Sequence, residues 1–387
     1  MKKIIRVTTV PASLGGLLTG QLKFMSNHYE ILGVSSKGKD NQINKVSEKE
    51  DIRVESIEMT RQITPFKDLI AVWKLYKLFK RESPHIVHSH TPKAGTLAMF
   101  AAYLAKVPQR LHTIAGLPLL EARGVKRKVL NTVEYFTYKF ATKIYPNSHG
   151  LLNIILDNKF TTIDKLKVIG KGSSNGIDTS TFNPNIYDAN SKQELKDKLG
   201  IYENEFVFVF VGRMVSDKGI NELISAFSQL NQKFNDIKLL LVGDYENELD
   251  PLLPETIKII DKNKNIISTG WVKDVRPYFS ISNALTFPSY REGFPNVVMQ
   301  AAAMELTCIV SDINGCNEII THEKNGLIVP VKDTQALVDS MSFVYLNRIE
   351  SKKMGIKSRE SIVSNYERKE VWEAILKEYQ TLENRNK

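Results

Sequence analysis

Cysteine is nearly absent from this chain: Cys308 and Cys316 are the only two among 387 residues. Two such residues cannot build a disulfide framework and have no companions at metal-site spacing, so they read as structural residues of a reducing compartment. Long apolar runs are missing as well. No stretch of about 18 uninterrupted apolar residues exists, which excludes membrane-spanning helices, and Met1-Lys2-Lys3 leads directly into a strand-like segment instead of a signal-peptide core. A cytoplasmic location is the expectation. Low-complexity tracts and solenoid-length repeats are also lacking. With 42% apolar and 25% charged residues, the composition is that of globular protein long enough for two α/β domains.

Charge is present in quantity and unevenly placed. The formal net charge is +10, yet residues 1–170 hold 27 Lys+Arg against 13 Asp+Glu, whereas the remainder holds 26 against 30. A basic first half suits phosphate-rich partners: nucleic acid, an anionic membrane surface or a diphosphate-bearing acceptor. A generally lysine-rich proteome is the plain alternative. Nucleic acid fits poorly, because no recognition motif or aromatic platform accompanies the charge.

Short β-rich runs alternate with helical patterns. In the first half, residues 4–10, 29–34, 85–90, 110–114, 143–148 and 167–172 each read as a strand arriving at a loop. Between them the spacing predicts a helix over 65–82, started at Thr64-Pro65 and stopped at Pro84, with Leu69, Val72, Trp73, Tyr76 and Phe79 as its apolar positions. A turn-rich segment, 175–191, precedes a second alternation that opens with FVFVFVG (206–212) and continues through strands at 237–243, 265–270, 283–289 and 306–312. The first helix there places Ile220, Leu223, Ile224, Phe227, Leu230 and Phe234 on one stripe. Alternation of this kind implies parallel sheets covered on both faces. The expected architecture is therefore α/β with two Rossmann-like domains: residues 1–172, onto which a terminal helix at 366–387 packs back, and residues 173–365. Ligands of open α/β sheets bind at the carboxyl ends of strands, so two such domains are expected to face an interdomain cleft.

Two loops at strand ends carry the chemistry. After the strand ending at Phe287-Pro288, a loop presents Arg291, Glu292 and Gly293, and a helix starts near Pro295. Free N–H groups and the dipole at a helix start favour phosphate, and Glu292 is placed to accept hydrogen bonds from sugar hydroxyls. Gln300 follows eight residues later, about two turns along the same helix face. An acid that merely complements the helix dipole is the bland reading. In VGRMVSDKG (211–219), a buried strand delivers Gly212 and Arg213 while Lys218 opens the next helix, so a planar fork and a point charge converge where a diphosphate can lie. The spacing is not that of a P-loop. A solvated surface pair is the alternative.

Four runs taken together, GRMVSDKG, REGFPNVVMQ, NGLIVP at 325–330 and NGIDTSTF at 175–182, resemble the retaining GT-B glycosyltransferases of family 4, and the resemblance spans nearly the whole chain. HSHTPKAG (88–95) and HTIAGLP (112–118) are similar to bacterial transferases of capsule and O-antigen assembly. The resemblance implies transfer from a nucleotide-sugar donor, with a UDP-sugar as the expectation, to a lipid-linked or growing glycan or oligosaccharide acceptor at the inner face of the membrane. It implies that Arg213 and Lys218 hold the donor diphosphate and stabilise its leaving charge. Glu292 then matches the first carboxylate of the family's E-x7-E motif, Gly293, Phe294 and Pro295 border sugar and phosphate, and Val272 lies where backbone meets the base. No metal and no cofactor are expected, because the two cations take the metal's place.

The chain departs from the family pattern twice. Gln300 stands at the second acidic position, where it keeps a hydrogen bond to ribose but lacks charge assistance. Ala115 stands where the family often has histidine, with His112 close by as either its replacement or a locally packed strand-end residue. His88, His90 and Lys93 end a strand and open a helix; with no third ligand evident, substrate contact is expected rather than metal. Ser13, Gly15 and Gly16 read as a flexible loop near the acceptor, or as a plain tight turn. In segment 121–143, Arg123, Lys126, Arg127 and Lys128 precede a helix rich in Val, Phe and Tyr. It fits peripheral contact with anionic headgroups, or a core helix with a solvated basic start. Two other functions stay open: an epimerase acting on nucleotide sugars, with a different acid/base set, and a non-catalytic sugar-nucleotide binder, which the substitutions at 300 and 115 would suit.

Overall fold

The computed structural model describes residues 1–60, 62, 64–117, 119, 122–246 and 250–384. Pro118 of the 112–118 run, Glu121 at the head of the basic segment and 385–387 at the end of the terminal helix lie outside the described residues. The chain divides into two compact units, Met1–Gly176 with Lys369–Lys387, and Ile177–Arg368. Unit 2 is closed where the chain enters and leaves it: Ile177 N donates to the Tyr366 carbonyl at 2.9 Å, and Arg368 N donates to the Ile177 carbonyl at 2.9 Å.

Unit 1 is built on six parallel strands, β1 (Lys3–Val7), β2 (Glu30–Ser35), β3 (Arg53–Ser56), β4 (Ile86–Ser89), β5 (Gln109–Ile114) and β6 (Lys143–Pro146), in the order β3-β2-β1-β4-β5-β6. Alternating side chains divide its core in two. Ile5, Val7, Leu32, Val34, Val87, Ile114 and Ile144 face one apolar cluster with the helices Pro65–Glu82, Pro92–Leu104 and His149–Asp157. Ile4, Ile31, Ile86, Leu111 and Tyr145 face the other, which Val371, Ile375, Tyr379 and Leu382 of the terminal helix Arg368–Asn384 complete.

Several elements differ from the sequence reading, each for a physical reason. Residues 167–172 are not a strand: Leu166 makes a single bridge to Ile144, and Gly170 and Gly172 then turn the chain at φ 59° and 109°. Strand β3, RVES, is an edge strand with charged residues and no apolar alternation to reveal it. Ser13, Gly15 and Gly16 lie in the helix Pro11–Leu17 instead of a flexible loop, and Gly15 is small because a Cβ there would meet Val46 at 2.8 Å. The helix Pro65–Glu82 has the expected bounds and ends with Ser83 in the left-handed region. It buries Ala71, Val72, Leu75, Leu78 and Phe79, and leaves Leu69 67% and Trp73 54% exposed. The helix is apolar on two faces, and the sheet selects only one of them.

Unit 2 repeats the plan with β7 (Phe206–Val211), β8 (Ile237–Val242), β9 (Ile266–Gly270), β10 (Ala284–Phe287), β11 (Thr307–Ser311) and β12 (Gly326–Val329), in the order β12-β11-β10-β7-β8-β9, all parallel. The central strand β7 is buried through Phe210, as its unbroken apolar run requires. Ile220, Leu223, Ile224, Phe227 and Leu230 all point from the helix Ile220–Lys233 into the core, and Phe234 packs against it. Because β7 and β10 are neighbours from which the strand order runs in opposite directions, the loops that follow them part at a topological switch point.

Candidate active site

The loop after β7 is held by glycine at a position no other residue fits. Gly219 has φ +70°, and a Cβ there would lie 2.1 Å from the Pro288 carbonyl oxygen. This close approach presses the turn at 216–219 against the loop after β10. Tyr290 N donates to the Asp217 carbonyl at 2.9 Å, and Arg291 Nη2 donates to Asp217 Oδ2 at 2.8 Å. Gly315, at φ +78°, lets the segment before the short helix Cys316–Ile319 pack onto the Gly293 carbonyl, and the Asn314 amide donates to the Glu292 carbonyl.

The result is a joined pair: Lys218 Nζ donates to Glu292 Oε1, and the Ser289 hydroxyl donates to the same oxygen at 3.1 Å. Both partners are largely covered, with side chains 15% and 17% exposed. Gly293, Phe294 and Pro295 are buried beside them, and the helix Asn296–Ala303 begins there and carries half-buried Gln300 one to two turns on. One cation and one acid thus stand at the start of two helices, at the carboxyl edge of the sheet.

Arg213 goes elsewhere. Its guanidinium pairs with Glu246 in the loop after β8 and not with Glu292, because β8 flanks β7 on the side opposite β10. It lines a cavity of about 470 Å³ together with Gly212, Tyr245, Trp271 and Val272. Trp271 is 70% exposed, and its backbone N–H donates to Asp244 Oδ1 at 2.8 Å. Gly243 lies against Gly212, where a Cβ would come within 1.8 Å of the carbonyl oxygen. The sequence reading missed Trp271, Tyr245, Asp217 and Ser289. An aromatic next to Val272 at a strand end was the available signal for Trp271; the others have meaning only once the loops are folded.

Of the sequence-expected residues of unit 1, the three histidines are drawn into its interior. His112 is 3% exposed; Ser89 Oγ lies 2.9 Å from its Nδ1, and its ring fills the space left by Gly95, where a Cβ would approach to 2.3 Å. Burial lowers its pKa to about 4, so it is a neutral packed residue and not a group presented to a ligand. His88 places Nδ1 2.6 Å from the Tyr379 hydroxyl and Nε2 2.8 Å from Thr113 Oγ1. His90 Nε2 accepts from Arg6 Nε at 3.0 Å, which puts the ring proton of the neutral form on Nδ1. Burial, and then neighbouring charge and histidine, hold both rings well below the usual imidazole range. Lys93 is tied to Asp68 at 2.5 Å. Ser13, Gly15 and Gly16 share the helix Pro11–Leu17, whose Leu14 joins the apolar cluster on the sheet face opposite the helix that carries Lys93, and the two glycines border a cavity with Lys45 and Lys49. Among the described residues, no group of three or more His, Cys, Asp or Glu is placed to hold a metal ion, and no helix is long and apolar enough to cross a membrane.

Residues 191–361 match the family model described as glycosyl transferases group 1, and residues 18–148 match the model described as glycosyl transferase 4-like. The capsular polysaccharide biosynthesis glycosyltransferase CapM of Staphylococcus aureus is 32% identical over 386 residues, covering 98% of this chain and 97% of its own. An Escherichia coli enzyme named UDP-Gal:alpha-D-GlcNAc-diphosphoundecaprenol alpha-1,3-galactosyltransferase is 31% identical over 292 residues, 73% of this chain and 72% of its own. Among solved structures, Anabaena HepE in complex with UDP and glucose superposes with a TM-score of 0.83 at 16% identity, over 98% of this chain and 100% of that one. At that identity the likeness is one of fold.

Proposed function

Since the chain belongs to the group 1 glycosyltransferases, enzymes of the GT-B fold, we propose that it transfers a sugar, with retention of anomeric configuration, from a UDP-sugar to a lipid-linked or growing glycan acceptor in bacterial surface-polysaccharide assembly. One observation carries the reading: Lys218 and Glu292 are joined at the switch point of the unit 2 sheet. In this role the Lys218 ammonium neutralises the leaving diphosphate, and Glu292 accepts hydrogen bonds from the donor sugar. The cavity beside Trp271 and Val272 receives the base, with an aromatic face for stacking. Gln300 bonds the ribose.

Arg213 reaches the diphosphate by leaving Glu246. That exchange is cheap, because with side chains 56% and 31% exposed the pair is worth about 0–1 kcal/mol, less than one charge-assisted contact to phosphate. With two cations on the diphosphate, no metal is required. The leaving phosphate itself assists deprotonation of the acceptor hydroxyl, so no second carboxylate of glycosidase type is needed.

Two relatives support the substrate classes. CapM is named for capsule biosynthesis, and the Escherichia coli relative is named for a UDP-sugar donor and a diphosphoundecaprenol-linked acceptor. With an acceptor of that kind, this enzyme would act at the inner face of the cell membrane. The test is a panel of UDP-, GDP- and dTDP-sugars measured by thermal shift and by transfer to a synthetic lipid-diphosphate sugar. A UDP-sugar should raise the melting temperature and give an α-retained product from an α-donor. Stabilisation by no nucleotide sugar, or epimerised free donor without acceptor, overturns the proposal.

A further inference from the structure

The outward face of the helix Pro65–Glu82 is not that of a solvated helix. Phe66, Leu69, Ile70 and Trp73 are 87%, 67%, 55% and 54% exposed, and their i, i+3, i+4, i+7 spacing puts them on one stripe. Scattered exposed apolar residues are ordinary, but four adjoining ones over two turns form a patch. Exposed Lys67 and Lys74 flank it, Lys77 lies 3.6 Å from the Trp73 ring centroid, and Lys80 continues the stripe. Among the described residues, none of these four lysines makes an ion pair within 4 Å. The acids of this helix are used elsewhere: Asp68 holds Lys93 and Glu82 holds Lys3.

A second helix on the same face of the sheet carries the same pattern. Helix Gly124–Phe140 exposes Val125, Val129 and Phe136 together with Lys128 and Lys139, and helix Pro92–Leu104 packs between the two. These helices follow β3, β4 and β5 in parallel crossovers, so their first turns lie at the carboxyl edge of the sheet. Phe66, Leu69, Ile70, Trp73, Val125 and Val129 all belong to those N-terminal halves.

We propose that this face docks unit 1 on an anionic lipid bilayer, with the Phe66–Trp73 stripe entering the headgroup boundary and Lys67, Lys74, Lys77 and Lys80 meeting lipid phosphates. Charge selects this occupant. A second copy of the face would bring lysine against lysine, whereas apolar residues with a basic rim and an interfacial tryptophan complement an anionic surface. The carboxyl edge of the sheet then stands next to the membrane, within reach of a headgroup. That purpose rests on the lipid-linked acceptor of the preceding section; the docking itself does not.

Flotation of the full chain with phosphatidylcholine–phosphatidylglycerol vesicles, and with phosphatidylcholine alone, tests it. The protein should float with the anionic vesicles only. Phe66→Ser with Trp73→Ser, and separately Lys67→Glu with Lys74→Glu, should each lower the bound fraction by roughly tenfold. Brominated lipid should quench tryptophan emission of the wild type, and Trp73→Phe should remove that quenching while still floating. Melting curves and transfer to a water-soluble short-chain acceptor should be unchanged in all three variants. Wild-type protein that floats with neither vesicle, variants that float like wild type, or a lipid-free dimer abolished by the serine pair each overturn the docking. Loss of wild-type transfer to the soluble acceptor, with flotation intact, counts against the sugar-transfer reading and not against this one.

Discussion

Lys218 and Glu292 stand 74 residues apart in the chain and share a hydrogen bond, because the strands that deliver their loops, β7 and β10, are neighbours in the sheet. Ser289 donates to the same carboxylate oxygen, so the acid is oriented by two neighbours. The fold thus holds a cation and a carboxylate in one geometry, and in the proposed reaction they serve the leaving group and the sugar.

That geometry predicts the largest kinetic effects. Lys218→Ala and Glu292→Ala should each lower kcat/KM by about 2–4 kcal/mol of transition-state stabilisation. The double variant should lose less than the sum, since each single change already breaks the pair. Steady-state kinetics on proteins with matched melting curves decide it; near-wild-type turnover in both single variants sinks the site assignment.

Gly219 should tolerate no side chain. Its φ of +70° and a Cβ 2.1 Å from the Pro288 carbonyl oxygen make Gly219→Ala strained and crowded at once. The expected cost is about 2–4 kcal/mol in denaturant unfolding, with activity falling further as Lys218 is displaced. Gly200→Ala provides the contrast. It has φ +68° with open space around it, so it should cost only about 1–2 kcal/mol and leave turnover alone.

In the proposed reaction Glu246 competes with the donor diphosphate for Arg213, with which it is paired in the structure. Glu246→Gln should therefore tighten UDP binding several-fold, up to about 1 kcal/mol, while Arg213→Ala weakens it by a similar or larger amount. Titration calorimetry with UDP measures both. Equal affinity in the two variants would mean that Arg213 stays on Glu246 throughout.

Acid should destabilise unit 1 through its buried imidazoles. His112 has an ordinary pKa of 6.5 and a folded value of about 4. Between those values the unfolded chain binds a proton that the folded state refuses, so stability falls as pH drops from about 6.5 to 4, by up to roughly 3 kcal/mol from this group. Glu134 opposes it: burial raises its pKa from 4.5 to about 7, so it costs stability as pH rises through that window. Glu134→Gln should be more stable than wild type at pH 8 and should lose stability more steeply on acidification. Melting temperatures from pH 4 to 8 report both slopes, and parallel curves for the two proteins would refute the pairing.

Local chemistry made much of this molecule readable. The alternation of apolar runs and helical stripes specifies parallel α/β units, because a strand covered on both faces needs an unbroken run such as FVFVFV. Thr64-Pro65 and Pro84 bracket a helix because proline sterics act within a residue or two. The strand-end positions of Gly212, Lys218 and Glu292 follow from the same alternation. Tertiary structure alone decided the rest: that Lys218 meets Glu292 while Arg213 turns to Glu246, that Gly95 lets His112 sink into the interior, and which apolar face of helix Pro65–Glu82 the sheet covers. Each depends on which strand lies beside which, and so on the packing of segments tens of residues apart, which propensity and spacing along the chain do not encode.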